Sequence, residues 1–427
     1  MNEILKHFEK IASTPHCSFN AHKLKDEIIS YATKLGYEVQ TDKHDNILCT
    51  KGNPKVCLQS HYDMVCIGNA PHIELELKEN ILKAKNSTLG ADNGMGMSIM
   101  FACMSLYEDL ECLFTSDEEV GLIGATNLEL QLTSKYLLNL DGEQEDEIYI
   151  GCAGGVDVIS TCKVQKLPLG KEYAIYELVV ENLPGGHSGV DIDKNIPSAI
   201  KVLANELAQQ EDIKLLHVEG GEMRNSIPKK ATAIIASNQA IKVHNEMVKV
   251  TKKSDFQREY LENSDTIIRV LDAFAQGVRA FDKEFMIPSI SINLGKIRQS
   301  DENLQIDCNV RAMKDTDLDR VAKESISLFK LANFEVKIHD RHEAWSPNVG
   351  EFTLLVKDVM SQTYEGIELK AIHAGLECGV LMQTQKQSIE AVSIGPTIRF
   401  PHSLREECDM ASVDRIYKIV KQIIERV

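Results

Sequence analysis

Two histidines and three acidic residues stand where the apolar pattern ends strands or begins helices. They are His61 in LQSHYDMV, Asp92 in LGADNGMG, Glu119 in FTSDEEVGLIGA, Asp141 in LLNLDGE and His402 in IRFPHS. Three carboxylates and two imidazoles suffice for two divalent ions when one carboxylate bridges them. Two ions about 3.5–4 Å apart, clamping one water, are a recurrent device for hydrolysing unreactive bonds such as amides. Taken singly, Asp92 reads as a helix N-cap and His402 as a loop histidine. The joint pattern points to a two-metal hydrolase.

Three neighbours add to the set. His61 and Asp63 are two apart, so on extended backbone they share a face. The Asp63 carboxylate can then receive the second ring N–H of a metal-bound His61, fixing its tautomer. Glu118 and Glu119 are adjacent, and extended backbone would aim them oppositely, one at metal and one at substrate. Hydrolysis of this kind needs a base that takes a proton from water and hands it to the leaving amine. Glu118 is the candidate, although read alone residues 117–119 are equally a solvated acidic loop.

The elements that must position these groups follow from the apolar pattern. Short runs such as KVCLQS, ECLFTS and YLLNLD alternate with helical stretches such as GMSIMFACMSLY, which predicts an α/β layer with a mixed, mostly parallel sheet flanked by helices. In open sheets of this kind, functional groups gather at the carboxyl ends of strands. From about Leu167 the pattern changes to alternating strands (YAIYELVVE, KATAIIAS, SISINLGKI, NLQIDCNVRA) with a few helices, predicting an inserted α+β domain. After His342 the first pattern returns, closing on a helix with a stripe of Val413, Ile416, Val420, Ile423 and Ile424. The expected division is 1–165 and 342–427 for one catalytic domain, with 166–341 inserted as a lid.

The formal charge of -17 argues against nucleic acid or an anionic membrane as partner. No apolar run approaches the roughly 20 residues of a membrane span. The charged start MNEILKHFEKIAS is unlike a secretory leader. Eleven cysteines, with no CxxC pair, read as reduced core thiols in a cytoplasmic protein rather than as a disulfide framework.

Assembled, the segments SHYDMV, LGADNGMG, DEEVGLIGA, LDGEQEDEIYIGCAGG, GGHSGVDI, GGEMRNSIP, HAGLECG and IGPTIRFPHS occur in the order found in PepD-type aminoacyl-histidine dipeptidases. The chain resembles that branch of the co-catalytic di-zinc peptidases, which also includes glutamate carboxypeptidases, aminoacylases and carnosinases. The resemblance spans essentially the full length. It implies one zinc on His61, Asp92 and Asp141 and another on Asp92, Glu119 and His402, with cobalt or manganese as alternatives. Glu118 would be the general base, Asp63 the partner of His61, and the Asp92–Asn93 peptide would be cis. His187 in the lid would stabilise the oxyanion. Asn225 and Arg311 would hold the substrate backbone and carboxylate. His373 and Glu377 would line the cleft on the catalytic domain, Glu377 taking the free amino terminus. The implied activity is hydrolysis of short unblocked peptides, Xaa-His dipeptides among them, by a homodimer joined through the lid. Other readings are a deacylase or carboxypeptidase for N-blocked amino acids, or an inactive binding protein with the same fold. Asp193 to Pro197 depart from the branch's usual His and Gly-Arg-Gly-Asn run, which puts substrate range and oligomer contacts in question.

Overall fold

A computed structural model describes residues 2–254 and 256–427, in two compact units. The first comprises Met1–Cys152, Trp345–Ala371 and Leu376–Val427; the second comprises Ala153–Ala344 and Ile372–Gly375.

At the centre of the first unit four strands run parallel. Leu110–Thr115, Val56–His61, Tyr136–Asn139 and Glu390–Ser393 lie side by side in that order. Antiparallel strands flank them: Ile47–Lys51 and Glu38–Thr41 on one side, Glu147–Cys152 on the other. The parallel expectation therefore holds for the middle of a mixed sheet. Every residue of Val56–His61 and Leu110–Thr115 is buried, as expected of parallel strands covered on both faces. Helix Ala91–Met104 is buried along almost its whole length, so its sequence is apolar all round rather than striped. The closing helix Met410–Arg426 does carry its stripe inward, with Val413, Ile416, Val420 and Ile423 buried.

The second unit is built on a nine-stranded sheet whose main path runs from Lys249–Lys253 to Glu335–His342. Its ladders are antiparallel. Helices Ala199–Ala208, Ser264–Ala273 and Asp315–Leu331 join these strands in one core that includes Leu203, Ile267, Phe329, Leu294 and Val310. The first crossover comes earlier than the expected boundary at 165. Strand Gly154–Lys163 pairs with Asn303–Ala312 over its full length and so belongs to the second sheet. No linker marks this change, because Glu147–Cys152 runs almost directly into it.

The cysteines also depart from expectation. Cys17 and Cys66 form a disulfide. The topology explains the meeting: residue 17 bridges Met64 in parallel, and Ser18 N–H donates to the Met64 carbonyl. The other nine cysteines are free and buried, as small core residues. Among the described residues no helix is long and apolar enough to cross a membrane.

Candidate metal centre

All five expected ligands lie in the first unit, and four sit at the ends the strand pattern suggested. His61 closes Val56–His61, Asp141 follows Tyr136–Asn139, and Glu119 lies in the turn after Leu110–Thr115. Asp92 is in the first turn of Ala91–Met104, beside a cis Asp92–Asn93 peptide. His402 stands in the loop between Ile398–Arg399 and Glu407–Asp409, at a left-handed φ of 55°. Gly96 lets the helix approach this strand end, since a Cβ there would fall 2.6 Å from the Leu140 carbonyl oxygen.

Asp92 is the pivot. Its Oδ1 lies 3.1 Å from His61 Nε2, and its Oδ2 lies 3.1 Å from His402 Nε2. His61 Nε2 also comes within 3.4 Å of Asp141 Oδ1, and His402 Nε2 within 2.8 Å of Glu119 Oε2. The donor atoms of His61, Asp92 and Asp141, and those of Asp92, Glu119 and His402, therefore form two groups, each within 4.8 Å. Glu118 makes a third such group with His61 and Glu119, so its carboxylate borders the pair.

The charges are badly matched without cations. Burial opposes a charged His61, yet Asp141, Asp63 and Asp92 outweigh it and lift its pKa well above the ordinary value. Burial likewise opposes a charged His402, and Asp92 and Glu119 lift it to about 11. Burial pushes Glu118 well above the usual carboxylate range, against the pull of His61 and with repulsion from Glu119. Glu119 rises to about 7 through burial and Asp92, and Asp141 to about 6 mainly through burial. Glu119 Oε1 is buried with no hydrogen-bond partner. A crowd of hard oxygen donors with two imidazoles and an unmet oxygen fits two divalent ions of the zinc, cobalt or manganese kind.

Asp63 stands beside His61 as expected and holds more of the site besides. His61 Nδ1 lies 3.0 Å from the Asp63 backbone carbonyl oxygen, while the carboxylate Oδ1 is 3.5 Å away. The carboxylate also receives the Glu118 N–H at 2.9 Å, the Glu119 N–H at 3.4 Å and the Ser18 hydroxyl at 2.7 Å. It thus organises the segment carrying both glutamates. That segment is a turn and not extended: Asp117 has φ 50°, and Gly121 and Leu122 N–H both donate to the Glu118 carbonyl.

Glu377 is wholly buried in the first unit. Its Oε2 accepts from Gln59 at 2.5 Å and Thr115 at 2.8 Å, while Oε1 has no partner. Burial pushes it up to about 7. His373 was expected on the same domain, but Ile372–Gly375 belongs to the second unit.

The second unit gathers the other expected residues. His187, in the short strand Gly186–His187, pairs with Ser226 beside Asn225. Its Nδ1 accepts from Gly189 and Val190 N–H at 3.2 and 3.3 Å. The neutral ring therefore carries its proton on Nε2 as a donor. Asp191 accepts the His187 N–H at 2.7 Å and pairs with Lys194 at 2.6 Å, so the departing segment still braces this turn. Arg311 is buried on Asn303–Ala312, which rules out a surface strand arginine. His373 Nε2 meets Ser291 Oγ at 2.7 Å. Burial and Arg311 lower His373 to about 3 and His342 to about 4.

The profile of peptidase family M20/M25/M40 matches residues 57–426. The chain belongs to this family. It is 31% identical over 472 aligned positions to the cytosol non-specific dipeptidase of Escherichia coli (strain K12), covering 98% of this chain and 96% of that one. Its structure is similar to that of aminoacylhistidine dipeptidase from Vibrio alginolyticus, with TM-score 0.82 and 28% identity over 100% of this chain and 96% of the other. Human carnosine dipeptidase 1 shares the fold, with TM-score 0.56 and 12% identity over 99% and 96% of the two chains.

Sequence reasoning missed several residues that hold the site. Asn93 Nδ2 donates to Asp141 at 2.5 Å, Ser18 supports Asp63, and Glu406 accepts from the amides preceding Asp92. Only Glu406 carried a signal, its closeness to His402 in PHSLREE, and the adjacent Glu407 was equally eligible.

Proposed function

We propose that this chain is a dipeptidase holding two divalent ions, zinc first and cobalt or manganese as alternatives. Its substrates are short peptides with a free amino terminus, Xaa-His dipeptides among them. The observation that carries the reading is Asp92, one carboxylate whose two oxygens each face a different histidine. The names of the Escherichia coli and Vibrio relatives support the substrate class. His61, Asp92 and Asp141 would hold one ion; Asp92, Glu119 and His402 the other. Bound there, the ions would polarise the scissile carbonyl and acidify water.

The chain's own groups do the rest. Glu118 acts as the carboxylate: burial raises its basicity, and it takes the proton of the attacking water and returns it to the leaving amine. Asp63 fixes His61 through its carbonyl and the two glutamates through its carboxylate. His187 offers Nε2–H to the developing oxyanion. Arg311 suits the substrate carboxylate, Asn225 its backbone, and His373 the cleft wall. The unpartnered Oε1 of Glu377 suits the free ammonium. A homodimer through the second unit and a cytoplasmic location complete the reading. The Cys17–Cys66 bridge argues the other way on location, since such bonds belong to oxidising compartments.

The test is a panel of Ala-His, other dipeptides and their N-acetylated forms. Each is offered to metal-stripped protein with zinc, cobalt or manganese restored. Turnover of free but not acetylated dipeptides is expected. Preference for the acetylated forms would replace this reading with a deacylase.

A further inference from the structure

We propose that Glu406 is a positioning residue for the metal pair: it ties the loop bearing His402 to the turn bearing Asp92, and so sets the spacing of the ligands Asp92, Glu119 and His402. The inference rests on the ligand set proposed above.

Glu406 is 4% exposed. Its Oε2 accepts from Leu89 N–H at 2.8 Å and Gly90 N–H at 3.2 Å. Its Oε1 accepts from Ala91 N–H at 2.8 Å, with Asp92 N–H at 3.5 Å. Amides at a helix start have no intrahelical acceptor. Gly90, the residue before helix Ala91–Met104, supplies none from a side chain. Glu406 thus provides, from the far end of the sequence, the cap that this helix lacks locally. Three residues separate it from His402 on a stiff loop. Glu406 N–H donates to the Ser403 carbonyl at 3.1 Å, and Ser403 Oγ donates to Phe400 O at 2.7 Å.

The two ion sites depend on this tie unequally. His61 and Asp141 follow neighbouring parallel strands, with Gln59 in register with Asn139, so the sheet fixes their separation. His402 stands on a loop outside that sheet. Its direct contact with Asp92, at 3.1 Å, uses the side-chain atoms an ion would take as ligands. The Glu406 contacts use backbone amides and persist when an ion binds. Asp92 serves both sites, but only one of them also depends on the His402 loop, so removing Glu406 loosens the Asp92–Glu119–His402 site more than the other.

The experiment is calorimetric titration of metal-stripped protein with Zn2+ or Co2+, comparing the unaltered chain with Glu406→Ala and Glu406→Gln. Two ions are expected for the unaltered chain. Glu406→Ala should weaken one of them about 10–100-fold, a usual effect for groups supporting metal ligands, and the other distinctly less. Glu406→Gln should lie between, because either amide orientation turns an NH2 toward backbone donors. Circular dichroism establishes folding, and the Gln variant decides if the Ala variant does not fold. Equal weakening of both ions, or of neither, overturns the role of Glu406. Fewer than two ions in the unaltered chain overturns the two-metal reading itself, and this inference with it.

Discussion

The two histidines of the candidate metal centre and two histidines around Arg311 are pushed in opposite directions. In the first, surrounding carboxylates lift His61 well up and His402 to about 11, despite burial. In the second, burial and Arg311 drive His342 to about 4 and His373 to about 3. The same side chain therefore reports two fields. One region concentrates buried acid and is completed by cations. The other keeps His342 and His373 neutral beside Arg311 and suits an anion, such as a peptide carboxylate. The contrast supports the proposed reading, in which bond-breaking groups belong to the first unit and anion-holding groups to the second.

The sharpest way to break that comparison is at Glu118. Glu118→Ala should lower kcat about 10²–10⁴-fold, the range for loss of a general acid–base, with both ions retained by elemental analysis. Unchanged turnover removes Glu118 from the chemistry. In the second unit, Arg311→Met should raise KM for dipeptides about 10–100-fold, as loss of a hydrogen bond to a charged group does, and leave metal content alone. It should also raise the His342 and His373 pKa values, followed by NMR titration. If their values stay low, Arg311 does not set the field there.

The five candidate ligands stood out because each but one sits where an apolar strand or helix run begins or stops. Strands buried on both faces read as mainly apolar runs, and in KVCLQSH the strand carries Gln59 and Ser60 before closing on His61. What escaped reading depends on contacts between distant segments. The boundary at Ala153 is invisible because Gly154–Lys163 continues the preceding strand without a break and only its partners differ. Glu406 and Ser18 act through backbone or carboxylate groups far along the chain, and neither stands in a spacing that marks it. The Cys17–Cys66 bridge, with a separation of 49, has no local pattern either.

The pH response separates the fields next. The ordinary histidine pKa is 6.5, and His342 is lowered to about 4 in the folded chain. Above pH 6.5 neither state takes a proton there. Between 6.5 and about 4 the unfolded state takes one and the folded state does not. Stability of the second unit should thus fall with pH, by at most about 1.4 kcal/mol per pH unit for this group. His373 extends the window to about pH 3. Thermal unfolding from pH 7 to 4 should show a shallower dependence for His342→Gln. Parallel profiles for both proteins would mean that His342 is not held neutral by its surroundings.

The smallest expected effect tests how the first unit holds its acids. Ser18 donates to Asp63 Oδ2 at 2.7 Å, and Phe19 N–H donates to Asp117 Oδ1 at 2.5 Å, so the N-terminal loop grips both ends of the segment leading to Glu118. Ser18→Ala removes one donor and leaves Asp63 its bonds from Glu118 and Glu119 N–H. The cost to stability should be about 1 kcal/mol, with kcat lowered several-fold and KM unchanged, because the turn loosens and no substrate contact is lost. A larger fall with loss of one ion would show that Ser18 fixes His61 through Asp63. An unchanged kcat would mean the two backbone amides alone suffice to hold the catalytic turn.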